Sequence, residues 1–272
     1  MAGPVVAVGA GDARLDPFLQ LTGKGARQRV EQRLGVFVAE GHLALGALVA
    51  SPYHLVAVAV IPTQAERVLA VLAGSDAPVY VVDRKDLAAT TAFDVHRGVV
   101  ALGRRPAAVD PDVILGAGGP VVVAEGLGDH ENMGALFRNA AALGVRGVLL
   151  DPGCADPLYR RSVRVSLGHV LHVPFARFAD WPGALGRAGA HGYGVVGLTP
   201  SSDAEDVAVL GALPGERTAL VVGAEGAGLS TAALAACGRR VRIPMAAGVD
   251  SLNVATAAAI AFHRLAASTV SP

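Results

Sequence analysis

Five short runs in the second half of the chain are rich in β-branched and aliphatic residues, and most of them lack polar alternation. Runs of this kind are typical of strands that are covered on both faces, as in a parallel α/β sheet. The runs are Val121–Ala124, Val145–Leu150, Gly194–Leu198, Thr218–Val222 and Arg240–Ile243. This half of the chain is therefore predicted to form a parallel sheet.

Helical patterns lie between these runs, namely Gly134–Leu143 (with Gly144 as its C-terminal stop), Pro182–Ala190, Thr231–Ala236 and Leu252–Ala267. Alternation of strand and helix with short connections predicts a doubly wound sheet. The first half alternates too, beginning with a charged helix over 26–34 and a strand over 35–39. Residues 107–120 carry two Asp, two Pro and a Gly-Ala-Gly-Gly run, which is typical of a linker. We predict a smaller α/β domain over 1–107, a linker over 108–119 and a second α/β domain over 120–272.

Composition narrows the class of protein. Of the 272 residues, 52% are hydrophobic and only 17% are charged, which excludes intrinsic disorder. The 23 Lys and Arg balance the 23 Asp and Glu, so nucleic-acid binding would need a local basic patch. The longest apolar candidate for a membrane span, 43–61, is interrupted near its middle, and the N-terminus lacks a signal-peptide pattern. With two cysteines, Cys154 and Cys237, we expect a cytoplasmic protein with reduced thiols.

The first segment that could carry chemistry runs from Asn132 to Val145. Asn132 stands where a helix N-cap belongs, and Leu136 and Ala140 repeat at helical spacing on the face toward the sheet. Arg138 lies off that stripe, on the first or second turn, and is expected to project toward the strand ends where ligands gather. A solvated helix arginine would have the same local pattern.

The second segment joins a strand to a helix through three glycines, Gly223, Gly226 and Gly228, with Ser230 as the helix cap. Glycines at a strand end allow the backbone to approach a ligand closely. Their order is the reverse of the dinucleotide fingerprint, and no Gly-Lys-Ser/Thr follows, which excludes a P-loop. Glu225 is expected to be buried there and to need a partner.

The third segment leads from Ile243 through Pro244-Met245 and a small-residue loop into a long apolar helix. Asp250 or Ser251 is predicted to cap this helix, with Asn253 in its first turn. Taken singly, each of the three segments is an ordinary connection or helix start of an α/β fold.

In this order, however, the three segments resemble the three motifs of the SpoU family of RNA ribose 2′-O-methyltransferases, within the SPOUT superfamily. They read Asn-x-Gly-x-x-x-Arg, Gly-x-Glu-Gly-x-Gly-Leu-Ser and Ile-Pro-Met…Ser-Leu-Asn-Val. The resemblance is strong from about residue 120 and extends, more faintly, to Arg27-Gln28-Arg29, Phe37–Gly41 and His96–Val99. This chain departs from the family pattern at Ala224, at the acidic stretch Asp129-His130-Glu131 and at Asn139.

The resemblance implies a fold, a cofactor and a set of residues that bind it. The fold is a knotted, parallel-sheet methyltransferase domain over 120–272, with a C-terminal trefoil knot, preceded by a smaller RNA-binding α/β domain over 1–107. The cofactor is S-adenosylmethionine, and no metal is implied. The residues expected to contact or adjoin the cofactor are Val222, Gly223, Gly228, Ile243, Met245 and Leu252.

The reaction implied is methyl transfer to a ribose 2′-hydroxyl, with Arg138 as the main candidate for catalysis. A guanidinium does not release a proton near neutrality, so we interpret Arg138 as a clamp on the adjacent phosphate that positions the hydroxyl. The proton acceptor stays open between phosphate and water, and His130 is a further candidate, with an exposed loop histidine as the alternative interpretation of that residue. Asn132 and Glu225 would orient Arg138 or the loop, and Ser251 and Asn253 would line the same site.

The resemblance also implies partners: RNA, with ribosomal RNA favoured over transfer RNA, and a second copy of the chain in a homodimer. The apolar stretch 254–261 suits such an interface, although a core helix has the same pattern. Clustered arginines would bind the phosphates of the RNA backbone. The candidates are Arg27, Arg29 and Arg33 in the first domain and Arg160, Arg161 and Arg164 in the second, with solvated helix faces as the alternative.

Two other functions stay open. A non-catalytic RNA- or ribosome-binding protein could keep the fold without turnover, although the motif residues are intact. A nicotinamide-dependent enzyme could use the glycine turns, but Gly9-Ala10-Gly11 lacks a third glycine and a full preceding strand. Binding of S-adenosylmethionine or of NAD would distinguish them.

Overall fold

The computed structural model describes residues 3–19, 31, 33–93, 95, 97–213 and 217–267. The chain forms two compact units: residues 1–107 with 158–172, and residues 108–157 with 173–272. The first division falls at residue 107, where the first domain is predicted to end. Residues 158–172, by contrast, belong to the first unit, although they lie within the predicted second domain over 120–272. The predicted helix over 26–34 lies mostly outside the described residues.

The first unit is built on a five-stranded sheet in the order β1-β4-β3-β5-β2. Strand β5 runs antiparallel to β2 and β3, and the other pairs are parallel. Its elements are β1 (Val5–Ala7), β2 (Val36–Glu40), α1 (His42–Val49), β3 (Leu55–Val60), α2 (Ala65–Val71), β4 (Val79–Val81), α3 (Arg84–Thr91) and β5 (Val99–Arg104), with 3₁₀ turns at Ala13–Phe18 and Pro62–Gln64.

The second unit contains a seven-stranded sheet, parallel throughout, in the order β10-β12-β9-β11-β6-β7-β8. Its strands are β6 (Val121–Ala124), β7 (Gly147–Leu150), β8 (Phe175–Arg177), β9 (Gly194–Leu198), β10 (Glu205–Asp206), β11 (Thr218–Val222) and β12 (Arg239–Arg242). The helices after residue 107 are α4 (Pro111–Ala117), α5 (His130–Ala142), α6 (Arg160–Val165), α7 (Ala184–Ala190), α8 (Thr231–Ala236) and α9 (Val254–Ala267), with 3₁₀ turns at His169–Leu171 and Val207–Ala212. Of these, α6 and the turn at 169–171 belong to the first unit.

The central strands of this sheet are covered on both faces, as their apolar runs predict. Every residue of β6 and β11 is buried. Helix α9 packs against α5 and against the 207–212 turn, and it buries Ala258, Phe262 and Leu265 within the unit. Burial of a side chain such as that of Phe262 or Leu265 stabilises the fold by about 1.5–3 kcal/mol.

The strand order reverses between β6 and β11, because β6 continues toward β7 on one side and β11 continues toward β12 on the other. In open parallel sheets such a reversal leaves a crevice at the carboxyl ends of the strands. The predicted parallel α/β class is confirmed, and the trefoil knot stays a prediction. Among the described residues, no helix combines the length and the apolarity that a bilayer crossing requires.

The linker prediction is wrong in one respect, because residues 111–117 form helix α4. The carboxylate of Asp110 accepts the N–H of Asp112 at 3.0 Å, and Pro111 takes the first helical position. Both are standard signals of a helix start.

Candidate functional site

A cavity of about 370 Å³ lies at the carboxyl ends of β9, β11 and β12. Its volume falls in the range of roughly 300–1,000 Å³ that is usual for small-molecule sites. All six residues predicted to contact the cofactor line it, together with Glu225, Ser251 and Asn253. The full lining is Leu198, Thr199, Pro200, Val222, Gly223, Ala224, Glu225, Gly226, Gly228, Ile243, Met245, Ser251, Leu252, Asn253, Val254 and Ala257.

Residues 223–230, called the glycine loop below, form one wall of this cavity. The loop folds back on itself, because the N–H of Gly228 donates to the carbonyl of Ala224 at 2.9 Å. A Cβ placed on Gly223 would lie 2.2 Å from the carbonyl carbon of Gly228. Gly226 has a φ of +79°, a conformation that glycine adopts readily. Close backbone packing thus requires glycine at 223, and the positive φ favours glycine at 226.

A hydrogen-bonded network joins the three motifs beside the cavity. The side-chain N–H of Asn132 donates to Oε1 of Glu225. Nδ2 of Asn253 donates to Oδ1 of Asn132 at 2.7 Å and lies 3.4 Å from the same Oε1 of Glu225. In the chain, Asn132 lies 93 positions from Glu225 and 121 positions from Asn253. Glu225 has hydrogen-bond partners, as expected. It is exposed, however, so the expectation that this carboxylate is buried is wrong.

Two predicted helix caps are also wrong. Helix α5 begins at His130, and Oδ1 of Asp129 caps it by accepting the N–H groups of Glu131 at 2.8 Å and Asn132 at 2.9 Å. The side chain of Asn132 is therefore available for the network. At α9 the cap is Asn253, whose Oδ1 accepts the N–H of Ala255 at 3.0 Å. Its amide group thus caps the helix through oxygen and joins the network through nitrogen.

Arg138 is exposed, lies on the third turn of α5 and is not among the residues that line the cavity. It follows Asn132 by six residues, which corresponds to about 9 Å along the helix axis. The expectation that it lies on the first or second turn is wrong, because the helix begins earlier than predicted. Ser251, in contrast, lies at the cavity.

The arginine clusters are only partly described, since Arg27 and Arg29 lie outside the described residues. Arg33 is exposed. Arg160, Arg161 and Arg164 belong to the first unit. The guanidinium of Arg160 pairs with the buried carboxylate of Glu40 and lies 3.9 Å from the centre of the Phe93 ring.

The Arg160 side chain is therefore mostly engaged in contacts within the first unit, and 18% of it is exposed. Arg161 is exposed, and 46% of the Arg164 side chain is exposed. Of this second cluster, Arg161 and Arg164 offer more surface to a phosphate than Arg160 does.

Cys154 lies next to the end of β6 and has no reactive character. Its thiol donates to the carbonyl of Ala124 at 3.3 Å and accepts the N–H of Leu127 at 3.3 Å. Burial raises the pKa of Cys154 to about 12, and burial likewise raises the pKa of Cys237 to about 11. Both thiols stay protonated near neutral pH, which is inconsistent with a thiolate nucleophile.

Sequence reasoning missed Glu125, the residue that directly follows β6. Only 8% of Glu125 is exposed. Oε1 accepts the indole N–H of Trp181 at 2.6 Å, and Oε2 accepts the backbone N–H of Ser230 at 2.8 Å. A glutamate immediately after a buried strand was the available signal, but its partners lie 56 and 105 residues away.

Comparison with known proteins gives consistent results. A family model described as the SpoU rRNA Methylase family matches residues 119–263. A Mycobacterium tuberculosis (strain H37Rv) protein named an uncharacterized tRNA/rRNA methyltransferase is 44% identical over 254 residues, which cover 93% of this chain and 88% of that protein.

Solved structures share the fold. The AdoMet-bound rRNA methyltransferase from Sinorhizobium meliloti superposes with a TM-score of 0.80 at 25% identity, covering 99% of this chain and 100% of that one. A structure described as an RNA 2′-O ribose methyltransferase superposes with a TM-score of 0.76 at 24% identity, covering 97% and 99%.

Proposed function

The chain belongs to the SpoU rRNA methylase family, and we propose that it transfers a methyl group from S-adenosylmethionine to a ribose 2′-hydroxyl of RNA. Membership confirms the resemblance seen in the three motifs. The observation that carries the proposal is the Asn132–Glu225–Asn253 network, which brings one polar residue of each motif to the side of a glycine-walled cavity.

The cavity suits S-adenosylmethionine in both size and lining. Leu198, Ile243 and Leu252 offer apolar contacts to a flat base, and the backbone at Gly223 lines the cavity at the strand end. Backbone groups of the glycine loop can hydrogen-bond an adenine without a charged side chain. When bound, this cofactor supplies an electrophilic methyl group on a sulfonium.

The residues of this chain then have two tasks. The first is to hold the cofactor wall in place, which Glu225 does by anchoring the glycine loop to Asn132 on α5 and to Asn253, the cap of α9. The second is to place the ribose hydroxyl in line with the methyl group, because correct positioning of two reactants can lower a barrier by several kcal/mol. Arg138 would do this by clamping the neighbouring phosphate, while Ser251 contacts the hydroxyl side of the site.

We further propose that the protein acts as a homodimer in the cytoplasm. Arg138 is exposed and does not line the cavity of its own chain, so it would act at the site shared with the second copy. Ile260 on α9 is half-buried, and Val249 and Leu252 are 51% and 40% exposed, which supplies apolar surface near the cavity for such a contact.

RNA would be contacted by the exposed arginines. Arg33, Arg161 and Arg164 are proposed as phosphate contacts, together with Arg27 and Arg29, and Arg160 would support them by fixing α6. Ribosomal RNA is proposed over transfer RNA, because the chain carries a separate unit before the methyltransferase unit.

The test is transfer of a labelled methyl group from S-adenosylmethionine to purified RNA. We expect unmodified ribosomal RNA to be labelled and transfer RNA to be labelled at least about tenfold less, which corresponds to a difference of 1.4 kcal/mol in specificity. The alternative is a non-catalytic RNA- or ribosome-binding protein. Binding of ribosomal RNA with no label on either RNA class would favour that alternative.

A further inference from the structure

Glu125 is a buried carboxylate that the reaction described above does not use. It extends the pairing of β6 with β11 by one residue, since its backbone N–H donates to the carbonyl of Val222 at 2.9 Å. Its side chain is thereby fixed at the point where β11 leads into the glycine loop. Only 8% of the residue is exposed, so hydrogen-bond donors of the protein must stabilise its negative charge.

Both carboxylate oxygens have such donors, and they come from separate parts of the unit. The backbone N–H of Ser230 is the last donor of the glycine loop and lies 2.8 Å from Oε2. The indole N–H of Trp181 lies 2.6 Å from Oε1, and the Trp181 ring packs against the core of the unit. Trp181 therefore holds the carboxylate, and the carboxylate holds the exit of the loop.

The entrance and the tip of the loop are held by other contacts. Gly223 and Gly228 are in van der Waals contact, and Glu225 at the tip is bonded to Asn132 and Asn253. Glu125 is the side chain that anchors the remaining end, next to the point where Ser230 caps α8 through the N–H of Ala233 at 3.1 Å. The loop is thus held at its entrance by backbone packing, at its tip through Glu225 and at its exit by Glu125.

We propose that Glu125 is a positioning residue that, held by Trp181, keeps the glycine loop in the conformation that binds the cofactor. This rests on the proposed function in so far as the ligand of the cavity is S-adenosylmethionine. The role is specific to a carboxylate. A glutamine at 125 could accept one N–H through its oxygen, but its NH₂ group would face the second N–H, donor against donor.

The experiment compares E125Q with the native protein by amide hydrogen exchange without cofactor and by calorimetric titration with S-adenosylmethionine. We expect exchange of the amides over 223–230 to be about tenfold faster in E125Q, as loss of one charge-assisted hydrogen bond implies. We also expect the Kd and the KM for S-adenosylmethionine to rise about tenfold, with kcat at saturating cofactor unchanged within about threefold.

The matched control is E40Q, because Glu40 is equally buried at 8% exposure and lies in the first unit. E40Q should leave both the exchange of 223–230 and the Kd for S-adenosylmethionine at native values. Native exchange rates and native cofactor affinity in E125Q would overturn the proposal, as would a loss confined to kcat. Failure of the native protein itself to bind S-adenosylmethionine would refute the proposed function instead, and the exchange result would still report on the loop.

If E125Q does not fold, W181F replaces it, because it removes one of the two donors and keeps the carboxylate and an aromatic ring. We then expect the Kd for S-adenosylmethionine to rise about threefold and exchange of 223–230 to accelerate by a similar factor. Native values in folded W181F would contradict the proposal.

Discussion

Replacing Arg138 with alanine is expected to lower methyl transfer by roughly 10²–10³-fold while the affinity for S-adenosylmethionine stays at the native value. Arg138 does not line the cavity, so its loss removes no cofactor contact. It does remove the one motif side chain that can hold a phosphate by a planar fork of donors. The hydroxyl would then reach the methyl group without orientation.

The measurement is single-turnover methyl transfer alongside calorimetric titration of the cofactor. R138K keeps the charge but not the fork, and we expect it to fall between R138A and the native protein. R146A is the matched control, since Arg146 is also exposed and lies on the connection that follows α5. Native turnover in R138A, or a drop in R146A equal to that in R138A, would remove Arg138 from the mechanism.

Replacing Gly223 with alanine is expected to weaken cofactor binding, with a loss of about 10²-fold or more in affinity. The new Cβ would lie 2.2 Å from the carbonyl carbon and 2.4 Å from the carbonyl oxygen of Gly228, and 2.4 Å from the nitrogen of Leu229. All three atoms are backbone, so the glycine loop would have to open. We expect a drop in the free energy of unfolding of about 1–3 kcal/mol as well.

Calorimetry with S-adenosylmethionine and chemical denaturation measure the two effects separately. G186A is the matched control, because Gly186 lies inside α7 and a Cβ there meets no atom within 4 Å. Replacing a helical glycine with alanine should raise stability by about 0.5–1 kcal/mol. If G223A bound the cofactor with native affinity, the cavity beside the glycine loop would not be the cofactor site.

The sheet of the second unit could be predicted closely because local sequence dictates it. Val121–Ala124 and Thr218–Val222 are runs of aliphatic and β-branched residues, and both strands have the predicted bounds. Helix starts were less predictable. Asn132 and Asp129 are equally good caps by residue type, and only the tertiary partners of Asn132 decide between them.

The cavity lining could be predicted because the three motifs together resemble those of the SpoU family, whereas each motif taken alone is an ordinary connection in an α/β fold. The wrong turn was predicted for Arg138 because the helix start was predicted too late in the chain. The bonds of Glu125 to Trp181 and Ser230 span 56 and 105 residues, and no pattern within a short window reports such pairs. The same holds for residues 158–172, whose membership in the first unit rests on tertiary partners such as Glu40 and Ala47.

Nucleoside analysis of the methylated product shows whether the protein methylates the ribose 2′-hydroxyl of RNA. Ribosomal RNA would be incubated with the protein and S-adenosylmethionine carrying a deuterated methyl group, digested to nucleosides and fragmented by mass spectrometry. We expect the deuterated methyl group to remain with the ribose fragment of a 2′-O-methylnucleoside. A deuterated methyl group on a base, or RNA that binds without gaining one, would contradict it.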